Sequence, residues 1–323
     1  MRFPKGRVVL SNAKLEFVNL DNVLADSKKE RASKISGYLE ILYPEGSEIL
    51  FLKKGEPVNA ARFTREERKI LTIIEVIEKA KKSVTGTVNI YETGDELIEM
   101  MLATLTLKHL FKDLNVQATD PEKVLSKLAQ VKFSGFLELR KGVEVSYVRF
   151  KEGNPVTFYP SGKGAEPTEV EGLVKLLIST QIGETPTLVD GYEKLAEIPE
   201  QATPAQITLF VNTLNKIVGE VKNIAGPTLV QKTLLTSKET IAVKYPCVKD
   251  LSIDSDSRLS GNILVTPDEL SRIFAEWIDL FVDSFRVVLG KRLDTLVQNS
   301  FKDYRFALKS TNFGQYSKLK NLL

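Results

Sequence analysis

Ser36-Gly37-Tyr38-Leu39-Glu40-Ile41 returns further along the chain as Ser134-Gly135-Phe136-Leu137-Glu138-Leu139. The same spacing of 98 positions, without a gap, sets Lys53-Lys54-Gly55-Glu56-Pro57-Val58 against Lys151-Glu152-Gly153-Asn154-Pro155-Val156. Two blocks held at one spacing mark a duplicated unit. Each block reads as a β-meander. In the first copy, residues 36–43 and 47–53 are rich in Ile, Leu, Tyr and Phe, and Pro44-Glu45-Gly46 supplies the turn between them. In the second, residues 134–140 and 143–151 pair around Lys141-Gly142. Gly55-Glu56-Pro57 and Gly153-Asn154-Pro155 then turn into a third strand beginning at Val58 or Val156. Glycine reaches positive φ without a Cβ penalty, and proline holds φ at about −65°. Residues 36–60 and 134–158 are therefore expected to superpose, with Gly55 and Gly153 in equivalent turns.

Outward from the meanders the likeness is looser. A short helical stretch precedes each, over residues 20–28 and 121–130. After the first, Thr64 and Glu67 have capping-box spacing, and Ile70, Ile73, Ile74 and Ile77 line one helical face. That helix is expected to lead into a strand at Gly86-Thr87-Val88-Asn89-Ile90. In the second copy, residues 167–179 read as the matching helix, with Val170, Val174 and Leu177 on one face, and residues 183–189 follow as the strand.

The order of helix, S/T-G-x-L-x-I strand, hairpin, F/L-x-x-G-x-P/I-V, helix and glycine-led strand resembles the PATAN-type domain of unknown function. The residues carrying the resemblance are Gly37, Leu39, Leu52, Gly55, Val58 and Gly86, then Gly135, Leu137, Phe150, Gly153, Val156 and Gly183. It covers about residues 5–92 and 105–190. Pro57, Pro155 and Thr157 depart from the small residue expected in the family pattern. The resemblance implies protein–protein interaction in bacterial signalling or motility, with response regulators, pilus or motility components, or small GTPases as partners. It implies no chemistry.

From Thr203 the periodicity changes to that of helices. Thr203-Pro204-Ala205-Gln206 combines an N-cap, a proline at the first helical position and a Gln three after the cap. Ile207, Phe210, Leu214, Ile217 and Val221 form its apolar stripe, and Gly226-Pro227 restarts a second helix through Val230 and Leu234. A connector over residues 245–265 carries a hairpin at residues 251–253 and 259–261. Thr266-Pro267-Asp268-Glu269 opens a third helix whose face is Leu270, Ile273, Phe274, Trp277, Phe281, Phe285 and Val288. Gly290 ends it, and Leu293, Leu296, Val297, Phe301 and Tyr304 mark a fourth. Stripes of this kind bury one another in a bundle. The aromatic stripe reads as core, and residues 310–323 read as a solvated tail.

Composition sets the outer bounds. The chain has 323 residues, enough for two or three domains, and its 42% apolar content supports packed cores. A net charge of +3 is too weak a bias for a dedicated nucleic-acid binder. One cysteine, Cys247, excludes an internal disulfide and reads as a small, buried or half-buried residue. With a single histidine, His109, a Cys/His zinc site is excluded by counting. His109 lies in the apolar run over residues 105–111 and reads as a helix residue at a domain edge. The basic start, residues 1–7, precedes too short an apolar run for a signal peptide, and no run reaches membrane-spanning length.

Motifs for chemistry are incomplete. Ser161-Gly162-Lys163-Gly164 lacks the first Gly and the Ser/Thr of a phosphate loop and reads as a flexible loop. No G-x-G-x-x-G is present. Asp254-Ser255-Asp256-Ser257-Arg258 has the alternating acids of a calcium loop, but Leu259 and Val265 stand where Gly and Glu are needed, so a polar turn is expected. No nucleophile elbow accompanies His109. Glu66-Glu67 would suit a helix first turn.

The sequence thus predicts an α+β protein of two tandem meander-plus-helix repeats followed by an all-α bundle: residues 1–95, 96–200 and 201–323. The functional expectation is a cytoplasmic, non-enzymatic signalling adaptor with a protein partner, no cofactor, no metal and no catalytic residue. Two rivals are a small-molecule sensor with a pocket in the helical domain and an enzyme of unrecognised class.

Overall fold

A computed structural model describes residues 1–29, 35–64, 67–116, 120–164, 172, 174, 185–193 and 199–323. The fold is α+β. It divides into two compact units, one comprising Met1–Leu71 with Glu75–Pro199 and the other Glu200–Leu323 with Thr72–Ile74. Both sequence repeats lie in the first.

The first copy contributes β1 (Arg7–Lys14), α1 (Leu20–Lys29), β2 (Gly37–Tyr43), β3 (Gly46–Lys53), β4 (Glu56–Phe63), β5 (Arg68–Leu71), α2 (Ile73–Lys82) and β6 (Thr87–Glu92). Its sheet runs β1-β6-β2-β3-β4-β5. After α3 (Asp95–Thr106) the second copy contributes β7 (His109–Asn115), α4 (Pro121–Gln130), β8 (Gly135–Lys141), β9 (Glu144–Lys151), β10 (Asn154–Tyr159) and β11 (Thr187–Glu193). Its order, β7-β11-β8-β9-β10, repeats that of the first sheet without the last strand.

The duplication extends to single hydrogen bonds. Lys54 and Glu152 have φ of 51° and 49°, followed by Gly55 at 80° and Gly153 at 86°, so both β3–β4 and β9–β10 turns use two left-handed residues. That geometry matches the twist of a two-residue hairpin. Ser36 Oγ accepts from the Lys54 N–H as Ser134 Oγ does from Glu152. The Gly55 N–H donates to the Ile35 carbonyl, and the Gly153 N–H to that of Phe133. Leu52 faces Pro57 and Phe51 faces Asn59, bulging Val58; Phe150 faces Pro155 and Arg149 faces Thr157, bulging Val156. Proline is tolerated because the bulge disrupts the ladder there. A Cβ on Gly153 would lie 2.5 Å from the Ala129 Cα, in α4. Gly153→Ala should therefore cost about 1–3 kcal/mol from strain at positive φ. Gly142, also at positive φ but with only a distant methyl nearby, should cost less, and urea melts of the two variants check the order.

Several local expectations are corrected. Ile70 lies in β5 and not in a helix. The Thr64 hydroxyl does accept from the Glu67 N–H, but the Thr64 N–H also bonds the Glu67 carbonyl, closing the β4–β5 hairpin, so neither Thr64 nor Glu67 opens a helix. His109 begins strand β7 instead of sitting in a helix. The helix expected over residues 167–179 lies outside the described residues, apart from Gly172 and Val174, which are helical. Gly183, one of the residues in the PATAN resemblance, is likewise outside them. The 161–164 segment is held in place: the Gly162 N–H bonds the Phe3 carbonyl and the Lys5 N–H bonds the Lys163 carbonyl.

α3 joins the two copies and is buried nearly all round, through Leu97, Ile98, Met100, Met101, Leu102 and Ala103. A helix apolar on all faces needs cover on all faces. Tyr38, Phe63 and Tyr91 of the first sheet and Phe136, Tyr147 and Tyr192 of the second belong to the same cluster. Phe3 is buried there too, edge-on to Phe63.

The second unit contains α5 (Pro204–Ala225), α6 (Pro227–Lys244), a short hairpin β12–β13 (Ser252–Ile253, Leu259–Ser260), α7 (Pro267–Leu289), α8 (Lys291–Lys302), α9 (Arg305–Lys309) and α10 (Phe313–Tyr316). Thr203 and Gln206 form the reciprocal capping box, and Thr266 Oγ1 accepts from the Glu269 N–H. Asp254 Oδ1 accepts from the N–H groups of Asp256 and Arg258, which makes the acidic run a polar turn. The stripes meet in one core around Phe210, Phe274, Trp277 and Phe301, but Val288, expected on the same face as Trp277, is 63% exposed. The carboxy-terminal residues are not a free tail. Phe313 is fully buried against Phe210 and Phe301, while the Ser317 hydroxyl and Lys318 N–H both donate to Asp279 at 2.7 Å. Asn312 and Tyr316 also donate to Asp268, so a few dispersed contacts anchor a stretch that is mostly polar in composition.

Candidate functional site

The site grows from the glutamate of the repeated motif. In strand β8, Glu138 points to the same face as Phe136 and Arg140, and it is completely buried. A buried carboxylate needs a charge partner and hydrogen bonds. Arg68, from β5 of the first copy, supplies both through one guanidinium nitrogen at 2.8 and 2.7 Å from the two oxygens. The Tyr147 hydroxyl donates to the same carboxylate at 3.1 Å. Burial opposes the charge on Arg68, yet the Glu138 carboxylate outweighs it and holds the guanidinium pKa above its ordinary value. Burial and the same carboxylate push the Tyr147 phenol well above its ordinary value, so it remains a donor.

Arg140 forms the second centre. Its Nη2 lies 2.5 Å from Asp113 Oδ1 and 2.8 Å from Asp190 Oδ2. Asp190 also accepts from the Asp113 N–H at 2.6 Å, across a bulge where Asp113 has φ of 52°. The Arg140 hydrogen bond holds the Asp113 carboxyl below its ordinary pKa. His109 Nε2 is 3.0 Å from the Tyr192 hydroxyl and 3.8 Å from Asp190. Among the described residues no group of three or more His, Cys, Asp or Glu is placed to hold a metal ion. Arg68, His109, Asp113, Arg140, Asp190 and Tyr192 line an open pocket of about 410 Å³, to which Met1, Thr64, Glu67, Thr104 and Lys112 also contribute.

The first copy provides an internal comparison. Asn12 and Asn89 pair as Asp113 and Asp190 do, with the Asn12 N–H bonded to Asn89 Oδ1 and Asn12 at φ 52°. Their registers, Leu10 opposite Ile90 and Phe111 opposite Gly191, are also equivalent. At the equivalent places the first copy has Leu42 for Arg140, Val8 for His109 and Ile49 for Tyr147. Glu40 remains, buried, with Asn89 Nδ2 at 3.4 Å. At these equivalent places the first copy keeps one charged side chain, Glu40, where the second has a charged network. The signal was present in the sequence but hidden, because β1 and β6 match β7 and β11 at a spacing of 101 while the meanders match at 98.

Burial raises the Glu40 pKa, with Lys5 and Asn89 opposing. A raised folded-state pKa means that stability is fully present below the unfolded value, about 4.3, and is lost as pH rises through the folded one. Glu40→Gln should therefore raise the melting midpoint at pH 7, by about 2–4 °C for each kcal/mol recovered. The gain should vanish in melts below about pH 4.

No family model matches the chain, and no curated protein or solved structure does. No described helix is long and apolar enough to cross a membrane.

Proposed function

We propose that the chain is a non-enzymatic adaptor of bacterial cytoplasmic signalling that works by binding another protein. The carrying observation is the pair of equivalent sheet edges. Among the described residues, β1 and β7 each have one hydrogen-bonded neighbour, and both are largely exposed, with Val8, Val9 and Leu110 at the surface. An open edge offers a row of N–H and C=O groups that an extended partner segment can pair with. The PATAN resemblance of the same two repeats supports this reading and suggests response regulators, pilus or motility components, or small GTPases as partners. Within the second unit the bundle centre is filled by aromatic and aliphatic side chains, which favours an adaptor over a sensor with its pocket there.

The test is capture from extract of the source cells by wild type and by Val9→Lys and Leu110→Lys. Exposed substitutions of this kind should shift stability by no more than about 0.5 kcal/mol. A partner retained in stoichiometric amount by wild type and lost by an edge variant supports the proposal. Absence of any stoichiometric partner, or equal retention by all three proteins, sinks it.

A further inference from the structure

We infer that the charged pocket of the second copy binds a small oxyanion, a carboxylate or phosphate compound. This goes beyond the adaptor reading and is tested separately from it. Asp190 lines the pocket with Asp113 and Glu67, and Glu138 lies buried behind it; Glu138, Asp190 and Asp113 are already engaged by Arg68, Tyr147, Arg140 and the Asp113 N–H. Beside them stand cations with donors to spare. Among the described residues, Arg68 Nη2 has only the Met1 sulfur, at 3.8 Å. Arg140 is held by Asp113 and Asp190 through Nη2, and its buried Nε lies 3.6 Å from the Glu138 carboxylate. Lys112 lines the pocket and has no ion pair among the described residues. Carboxylates hold the two guanidinium groups beside the cavity, and guanidinium and ammonium groups are the side chains that recognise carboxylate or phosphate.

The sister copy argues that this network is not a folding requirement. The same sheet closes there with Leu42, Val8, Ile49 and an Asn pair. Buried ionic networks are commonly no more stabilising than the apolar residues that can replace them. Retaining one, beside a polar cavity, marks a ligand site. Arg68 comes from the first copy, so the site exists only where both copies are folded together.

The experiment titrates the full chain with inorganic phosphate, succinate and citrate at constant ionic strength, by calorimetry and by thermal shift, using chloride as the control. The expected result is saturable binding of at least one oxyanion in the millimolar range or tighter. Preference for succinate or citrate over phosphate would assign carboxylate recognition, and the reverse would assign phosphate. Lys112→Gln, an exposed change that leaves the Arg–carboxylate network intact, should weaken binding about tenfold by removing one charged hydrogen bond. Arg140→Leu, which copies the sister residue, should abolish it. Because that variant also strands Asp113 and Asp190, Lys112→Gln is the decisive one. No saturable binding by wild type, or equal affinity in Lys112→Gln, overturns the inference.

Discussion

Replacing Glu138 with alanine is expected to destabilise the first unit by about 3–5 kcal/mol, because it leaves a buried cation uncompensated. Arg68 is only 18% exposed and has its two strongest hydrogen bonds to this carboxylate, and Tyr147 has its hydroxyl there as well. Arg68→Ala should cost a similar amount, since it strands a carboxylate that is 0% exposed. The two losses should not add. In the double variant Arg68→Met with Glu138→Gln both charges are gone and volume is roughly kept, so much of the loss should be recovered. Urea melts of this double variant and of its own single variants, Arg68→Met and Glu138→Gln, complete the cycle. If the double variant loses the sum of the single losses, the pair is not coupled as the geometry requires.

Trp277→Ala should lower the stability of the helical unit by about 3–5 kcal/mol through the cavity it leaves. Trp277 is fully buried, stacks beside Phe274, and donates its indole N–H to the Ser237 hydroxyl at 2.9 Å. Ser237→Ala removes only the hydrogen bond and should cost about 1–3 kcal/mol for the unsatisfied indole N–H. As the sole tryptophan, Trp277 also reports on itself: its emission should be that of a shielded indole and should shift red on unfolding. A melting midpoint unchanged in Trp277→Ala would remove this residue from the core.

What the sequence alone determined were the features written locally. The meander and its duplication follow from short apolar runs broken by Gly55-Glu56-Pro57 and Gly153-Asn154-Pro155, where backbone preference acts within three or four residues. The helix starts at Pro204 and Pro267 follow from caps one turn long, and the breaks at Gly226 and Gly290 follow from chain geometry. The burial of Trp277 follows from 3.6-residue spacing.

Only the tertiary structure decided the rest. β1 and β7 are edge strands exposed along most of their length, so they carry no alternation for a pattern to reveal, and His109 looked helical for that reason. α3 is buried nearly all round because both sheets contribute to the cluster it belongs to, which no single-copy pattern expresses. Phe313, Ser317 and Lys318 dock on residues some 40 to 100 positions earlier, so their local composition says nothing of it. The charged pocket brings together Arg68, Asp113, Glu138 and Asp190, groups separated by up to 122 positions. Its chemistry depends on distances of a few ångströms between strands, and those distances are set by pairing register and shared burial, not by spacing along the chain.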